Sequence, residues 1–268
     1  MLCRKCGKGH ALVEDGLCAR CADEAFGSLT PAPGPDVVPD APGPPVRPAP
    51  PFRTMGALPL SPNAFALAVT VLLAVVVVTD LFAIVVGVQE FRVLSDLLAG
   101  QDGRTADLAR LDESYALAGK LQWYVFLATG VMFIAWLFRV RHNGEVFAPD
   151  GHSKARPWVL FGFVVPIANL WFPRRIALDI WAASEPAGRW GRWRVDCWWF
   201  LWLAATATSW LLGTWYEEAE TLTDIKDATG ALVVSDAVDI VSAAFAILFV
   251  RSLTALQNQK VMAGAYRP

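Results

Sequence analysis

Four cysteines near the N-terminus stand in two pairs, Cys3-Arg-Lys-Cys6 and Cys18-Ala-Arg-Cys21, with eleven residues between the pairs. Two CxxC turns aim four thiolates at one point, the donor set of tetrahedral zinc. A closed four-cysteine shell is structural, because it leaves no open position for substrate. Gly7 follows the first pair, where a tight turn often calls for glycine, and Lys5, Lys8 and Arg20 offset the charge on sulfur. Two disulfides or a redox dithiol are the alternatives. His10 is a further nitrogen donor, although four thiolates already complete the shell. Closely spaced thiols of this kind fit a reducing compartment.

Two polar residues in apolar surroundings are the other candidates. Asp80 is the one charge in the run from Ala64 to Val88. A carboxylate in hydrocarbon is costly and normally faces the bundle interior with a partner or water. It reads as a proton or cation site, or as a structural contact to Thr129, Thr206, Thr208 or Ser209, with Lys120 as a candidate ion-pair partner. Asn169 follows Pro166 by three residues. Its amide is suited either to bridge backbone groups freed by the proline or to touch a substrate or ion at a broken helix.

The elements that must position these residues are helices in lipid. The chain has 268 residues, 55% hydrophobic and 18% charged, against about 25% charged in a soluble domain. Its net charge of −2 gives no basic field for nucleic acid. Residues 64–88, 120–138, 197–216 and 237–256 are predicted spans, each close to the roughly 20 residues that cross hydrocarbon. The span at 197–216 carries Trp198, Trp199 and Trp202 at one end and Trp215 and Tyr216 at the other, as an aromatic belt at both interfaces would. Arg251, near one end of the last span, reads as a snorkelling side chain, and Asp239, near the other, as interfacial. No apolar core of signal-peptide length occurs in the first thirty residues, so the first span is expected to be an uncleaved anchor.

The stretch 157–172 is short for a span and is interrupted by Pro166. Loop charges on its two sides decide how it is read. Residues 139–156 hold four Arg or Lys against two acids, and residues 174–194 hold five Arg against two acids. Residues 89–119 hold six acids against three Arg, and residues 217–236 six acids against one Lys. The positive-inside rule then favours four transmembrane helices plus a Pro-broken, partly inserted hairpin, with both termini cytoplasmic; five spans is the alternative. Neighbouring helices are expected to cover the Pro166 break. Arg174 and Arg175 are expected to meet anionic lipid heads.

The predicted organisation is a four-cysteine head at 1–27, a disordered Pro-rich linker at 28–62 with ten prolines between Pro31 and Pro51, an all-α transmembrane domain at 63–258, and a cytoplasmic tail at 259–268. The linker serves as a spacer or as a ligand for proline-binding domains. The head is similar to the short zinc-ribbon heads of many prokaryotic membrane proteins, which implies contact with a protein or nucleic acid partner. The WLxRxRxN stretch from Trp136 to Asn143, the PxxNxxxP stretch from Pro166 to Pro173 and the Trp198-Trp199 pair resemble an actinobacterial family of membrane proteins, domain-of-unknown-function family 4328, over about residues 62–258. The resemblance implies a multi-pass membrane domain and assigns no catalytic residue.

No nucleophile motif, Walker loop or dinucleotide fingerprint occurs, and His142 and His152 stand ten apart, which is no helical metal spacing. Enzyme chemistry is therefore not expected. Two functions follow: a plasma-membrane adaptor whose zinc head binds a cytoplasmic protein, or a small homo-oligomeric transporter or channel component using Asp80 and the Pro166/Asn169 break.

Overall fold

In hydrocarbon every backbone polar group must be satisfied within the protein, so long apolar segments become helices. The computed structural model describes residues 58–101, 105–185 and 191–264, together with Leu2, Cys6 and Lys8. Seven helices follow in order among the described residues: α1 (Asn63–Leu98), α2 (Thr105–Phe147), α3 (Trp158–Val164), α4 (Pro166–Asn169), α5 (Phe172–Ser184), α6 (Trp193–Glu217) and α7 (Leu222–Met262). The helices α1, α2 and α7 are long and apolar enough to cross a membrane. Helix α6 has 25 residues, about 37 Å at about 1.5 Å per residue. Six Trp and several Thr in it take places that Val, Leu and Ile fill in the other three.

The helices overrun the predicted spans. Most of 89–119 and 217–236, expected as loops, is helix. Helix α1 continues until Gly100, whose φ of 86° is a left-handed stop that glycine takes without strain. Helix α7 begins where the Thr221 hydroxyl accepts a hydrogen bond from the Asp224 backbone N–H at 3.1 Å, a cap available from the Thr-Leu-Thr-Asp sequence. These extensions carry several acidic residues out of the predicted loops and into the bundle.

Residues 54–268 form one unit, and residues 1–53 form another. In the first of these, α1 packs against α2 and α7, and α6 packs against α7. Helix α2 and helix α6 share no close backbone approach, and α5 reaches α2, α6 and α7 at one end. We call this the α5 end; it holds the start of α1 and α6 and the finish of α2 and α7. The far end holds the other termini. Lipid offers no hydrophobic drive for helix association, so interlocking side chains must supply it. At the α5 end Trp198 stacks on Phe249 at 4.6 Å between ring centroids, with Phe133 5.3 Å from both Trp136 and Trp198. Trp198 and Trp199 are therefore core residues, not a belt facing lipid.

The stretch 157–172 is broken as the sequence predicts. Val165 is extended (φ −80°, ψ 115°) between α3 and α4, and α3 folds back on α5, with Trp158 edge-on to Phe172 at 4.8 Å. The expected cover over the break is missing: Val164, Val165, Pro166 and Ile167 are exposed, because α4 packs only on α3 and α5. The end of the predicted linker is also held. Asn143 Oδ1 accepts from the Leu60 N–H and its Nδ2 donates to the Leu60 carbonyl, both at 2.7 Å.

Of the four predicted zinc ligands, Cys3, Cys18 and Cys21 lie outside the described residues and Cys6 is exposed. Apart from Leu2, Cys6 and Lys8, the head at 1–27 lies outside the described residues, as does most of the linker.

Candidate functional site

Asp80 sits on the inward stripe of α1 formed by Asp80, Ala83, Gly87, Glu90 and Leu94, at spacings of three and four that keep one helix face. It is 3% exposed. Its Oδ1 accepts from Gln122 Nε2 of α2 at 2.9 Å, and the same nitrogen donates to Asp236 Oδ1 of α7 at 3.0 Å. A glutamine amide has two N–H hydrogens, so one side chain serves both carboxyl groups. One turn along α7, Asp239 Oδ2 accepts from the Ser209 hydroxyl of α6 at 2.9 Å, and Ser209 lies 3.2 Å from Ser235. Four helices thus converge on three carboxyl groups at mid-length of the bundle.

Charge is what this group lacks. Among the described residues no ion pair involves Asp80, Asp236 or Asp239, and Asp80 Oδ2 is sealed without any hydrogen-bond partner. A buried carboxylate without a cation is strongly unfavourable. A positive species would complete the arrangement. An N–H₂ group stands between Asp80 and Asp236, where a metal ion would need oxygen donors. A proton on Oδ2 would remove the charge without displacing the Gln122 amide.

Other expected partners are elsewhere. Lys120 is exposed, Thr206 is exposed, and Thr129 and Thr208 donate to carbonyls of their own helices. Thr208 and Ser209 do meet acidic α7, through Ser235 and Asp239, and not Asp80. Asn169 is not brought to Asp80. Its side chain bridges no backbone group freed by Pro166; Oδ1 is buried without a partner, and the Asn169 N–H itself donates to the Val165 carbonyl at 2.8 Å. Arg174 pairs with Asp196 at 2.7 Å and Arg175 with Asp179 at 3.5 Å, so both guanidinium groups have partners within the chain.

Sequence reasoning missed Gln122, placed Asp236 in a loop, and read Asp239 as interfacial. The i, i+3 spacing of Asp236 and Asp239 is the signal that both face one way. Between the α5-end helices a different polar set is saturated: Asn143 Nδ2 donates to Gln257 Oε1 at 2.9 Å, and Gln257 Nε2 donates to the Val140 carbonyl at 2.9 Å and to the Ser184 hydroxyl at 3.2 Å. Arg141, inside the WLxRxRxN stretch, pairs with Glu145 at 3.0 Å and donates to the Lys154 carbonyl at 2.7 Å. Those motif residues hold the fold.

The fold and site define a helical membrane protein with a carboxyl cluster inside its bundle. The chain belongs to the family described as Domain of unknown function (DUF4328), whose profile matches residues 100–255. Gln122, Ser209, Asp236 and Asp239 fall within that match; Asp80 precedes it. No curated protein and no solved structure matches the chain.

Proposed function

We propose that this protein handles protons in the plasma membrane, as a small homo-oligomeric transporter or channel component. The observation that carries the reading is the pair Asp80 and Asp236, joined by the uncharged Gln122 and without a cation among the described residues. In this reading α1, α2, α6 and α7 span the bilayer, α3 and α4 enter and leave on one side, and both termini are cytoplasmic. The far end then faces outward. Support comes from loop charge: the segments at the α5 end are basic and those at the far end acidic, as the positive-inside rule requires. Asn169, at the α5 end and away from Asp80, serves no part of the carboxyl pair.

The test is proton flux into vesicles reconstituted with the full chain and loaded with a pH-sensitive dye. Wild type should acidify the lumen under an imposed gradient, and Asp80→Asn and Asp236→Asn should each abolish it. Equal flux in wild type and both variants would refute the reading.

A second reading rests on the CxxC-x11-CxxC spacing. The head would hold one structural zinc ion through Cys3, Cys6, Cys18 and Cys21 and bind a cytoplasmic protein, with the bundle as its anchor. Zinc content of the purified full chain should fall from one ion to none when all four are changed to Ser, and recovery of a partner should fall with it.

A further inference from the structure

Glu90 lies ten residues beyond Asp80 on the same stripe of α1, about 15 Å nearer the far end. It is fully buried. Its Oε1 accepts from the Tyr216 hydroxyl of α6 at a long 3.4 Å, and its Oε2 is sealed with no partner. Across the α1–α7 contact, Thr229 is also fully buried, with its hydroxyl unpartnered. One turn back along α1, Gly87 leaves room for Tyr115 of α2: a Cβ there would lie 3.4 Å from the Tyr115 ring and 2.8 Å from Val233 Cγ2. Tyr115 and Tyr216 meet at 5.6 Å between centroids, bridging the two helices whose backbones stay apart.

The titratable groups facing Glu90 are Asp112 and Tyr115 from α2 and Tyr216 from α6. On α7, Asp236 acts on Tyr115 through its charge, and Lys226 lies over the Phe91 ring but pairs with Asp227 at 3.3 Å. No cation pairs with Glu90 among the described residues. One carboxyl group and two or three hydroxyls are too few oxygens for a dehydrated calcium or magnesium ion, which takes about six or more. A single proton on Oε2 removes the charge, the costlier part of burying the group.

We propose that Glu90 is a second proton-holding carboxyl, set between the acidic far end and the Asp80–Gln122–Asp236 group, with Tyr115 and Tyr216 closing the bundle around it. This rests on the proton-handling reading above. Exposed Asp112 is its neighbour toward solvent, and the surrounding carboxylates of 89–119 and 217–236 raise the local concentration of cations at that mouth.

Infrared difference spectra of the full chain in lipid, recorded between acidic and alkaline pH, test this through the C=O stretch of neutral carboxylic acids. Glu90→Gln, nearly the same shape, should remove one component of that band and slow proton flux at least tenfold, while the component lost in Asp80→Asn persists. An unchanged band in Glu90→Gln overturns the assignment of a proton to Glu90. A lost component with unchanged flux overturns its place between mouth and pair. A band altered by Glu90→Gln, together with no flux in wild type, supports the proton on Glu90 and refutes the transport reading instead. Thermal unfolding of Glu90→Gln in the same lipid, matching wild type, confirms that the variant folds; if it does not match, Glu90→Asp takes its place, and retention of a shifted component is the expected result.

Discussion

At the α5 end Phe133, Trp136, Trp198 and Phe249 interlock, and the buried amides of Asn143 and Gln257 are fully engaged with each other and with backbone. From mid-length toward the far end the same four long helices meet around Asp80 and Glu90, where the unpartnered buried atoms include the carboxyl oxygens Asp80 Oδ2 and Glu90 Oε2; among the described residues those at the α5 end belong to Arg141, His152, Asn169, Trp181 and Arg194 and include no carboxyl oxygen. The difference teaches where this protein stores stability and where it exposes chemistry. In lipid, shape-matched packing drives association, so the aromatic half holds the bundle together. The carboxyl half gives up that advantage, and residues that break local rules at such cost are where function is to be sought.

The largest effect expected from this contrast is in the aromatic half. Phe249→Ala removes a ring that touches Trp136, Trp181 and Trp198, and should cost about 3 to 5 kcal/mol in reversible unfolding from mild detergent. A loss no greater than that of a single Val→Ala change at the far end would erase the distinction between the halves. A smaller effect is expected at the close approach of α1 and α7. Gly87→Ala places a Cβ 2.8 Å from the stiff Val233 side chain and should cost about 1 kcal/mol or more by overpacking. Adding Val233→Ala should restore most of it in a double-mutant cycle; no restoration would mean that the contact is not what limits the site.

The smallest effect is a pH dependence confined to the α5 end. His152, in the segment between α2 and α3, packs on Gly144, and neither ring nitrogen has a hydrogen-bond partner. Burial holds its imidazole below the ordinary value, with Arg141 adding to this and the nearby Gly144 backbone, Glu145 and Asp179 opposing it. The unfolded chain therefore binds the proton first as pH falls. Stability from the neutral ring is present above the ordinary histidine range and is lost as pH drops through that range toward the lower folded value. Unfolding midpoints measured across that range should decline toward acid in wild type and flatten in His152→Leu. An equal slope in both would remove His152 from the account.

Much of the architecture was legible in the sequence. Hydrophobic runs located the four long helices, three of which are long and apolar enough to cross a membrane, Pro166 located the break, and Asp80 stood out as a charge in an apolar run. The partners of Asp80 were not legible, for a physical reason. Gln122, Glu90, Asp236 and Asp239 lie where apolar character fades, and a span drawn by hydropathy ends there, although the helix continues. Their shared facing is visible only as heptad spacing continued past the apolar run. The Trp198-Trp199 pair misled in the opposite sense: Trp near a helix end reads as interfacial, yet the bundle is wide enough at the α5 end to take both rings inside. Asn169 drew attention as a polar residue beside a proline, but α4 is too short and too far out on the fold to bring it to the carboxyl cluster.

The most direct test of the carboxyl pair counts its protons. Potentiometric titration of the full chain in lipid nanodiscs, compared with the Asp80→Asn/Asp236→Asn double variant, isolates the protons those two groups hold. The account predicts that wild type carries at least one more proton than the variant at neutral pH and releases it only on alkalisation. Superimposable curves above the ordinary carboxyl range would show both groups ionised in the bundle and would contradict it.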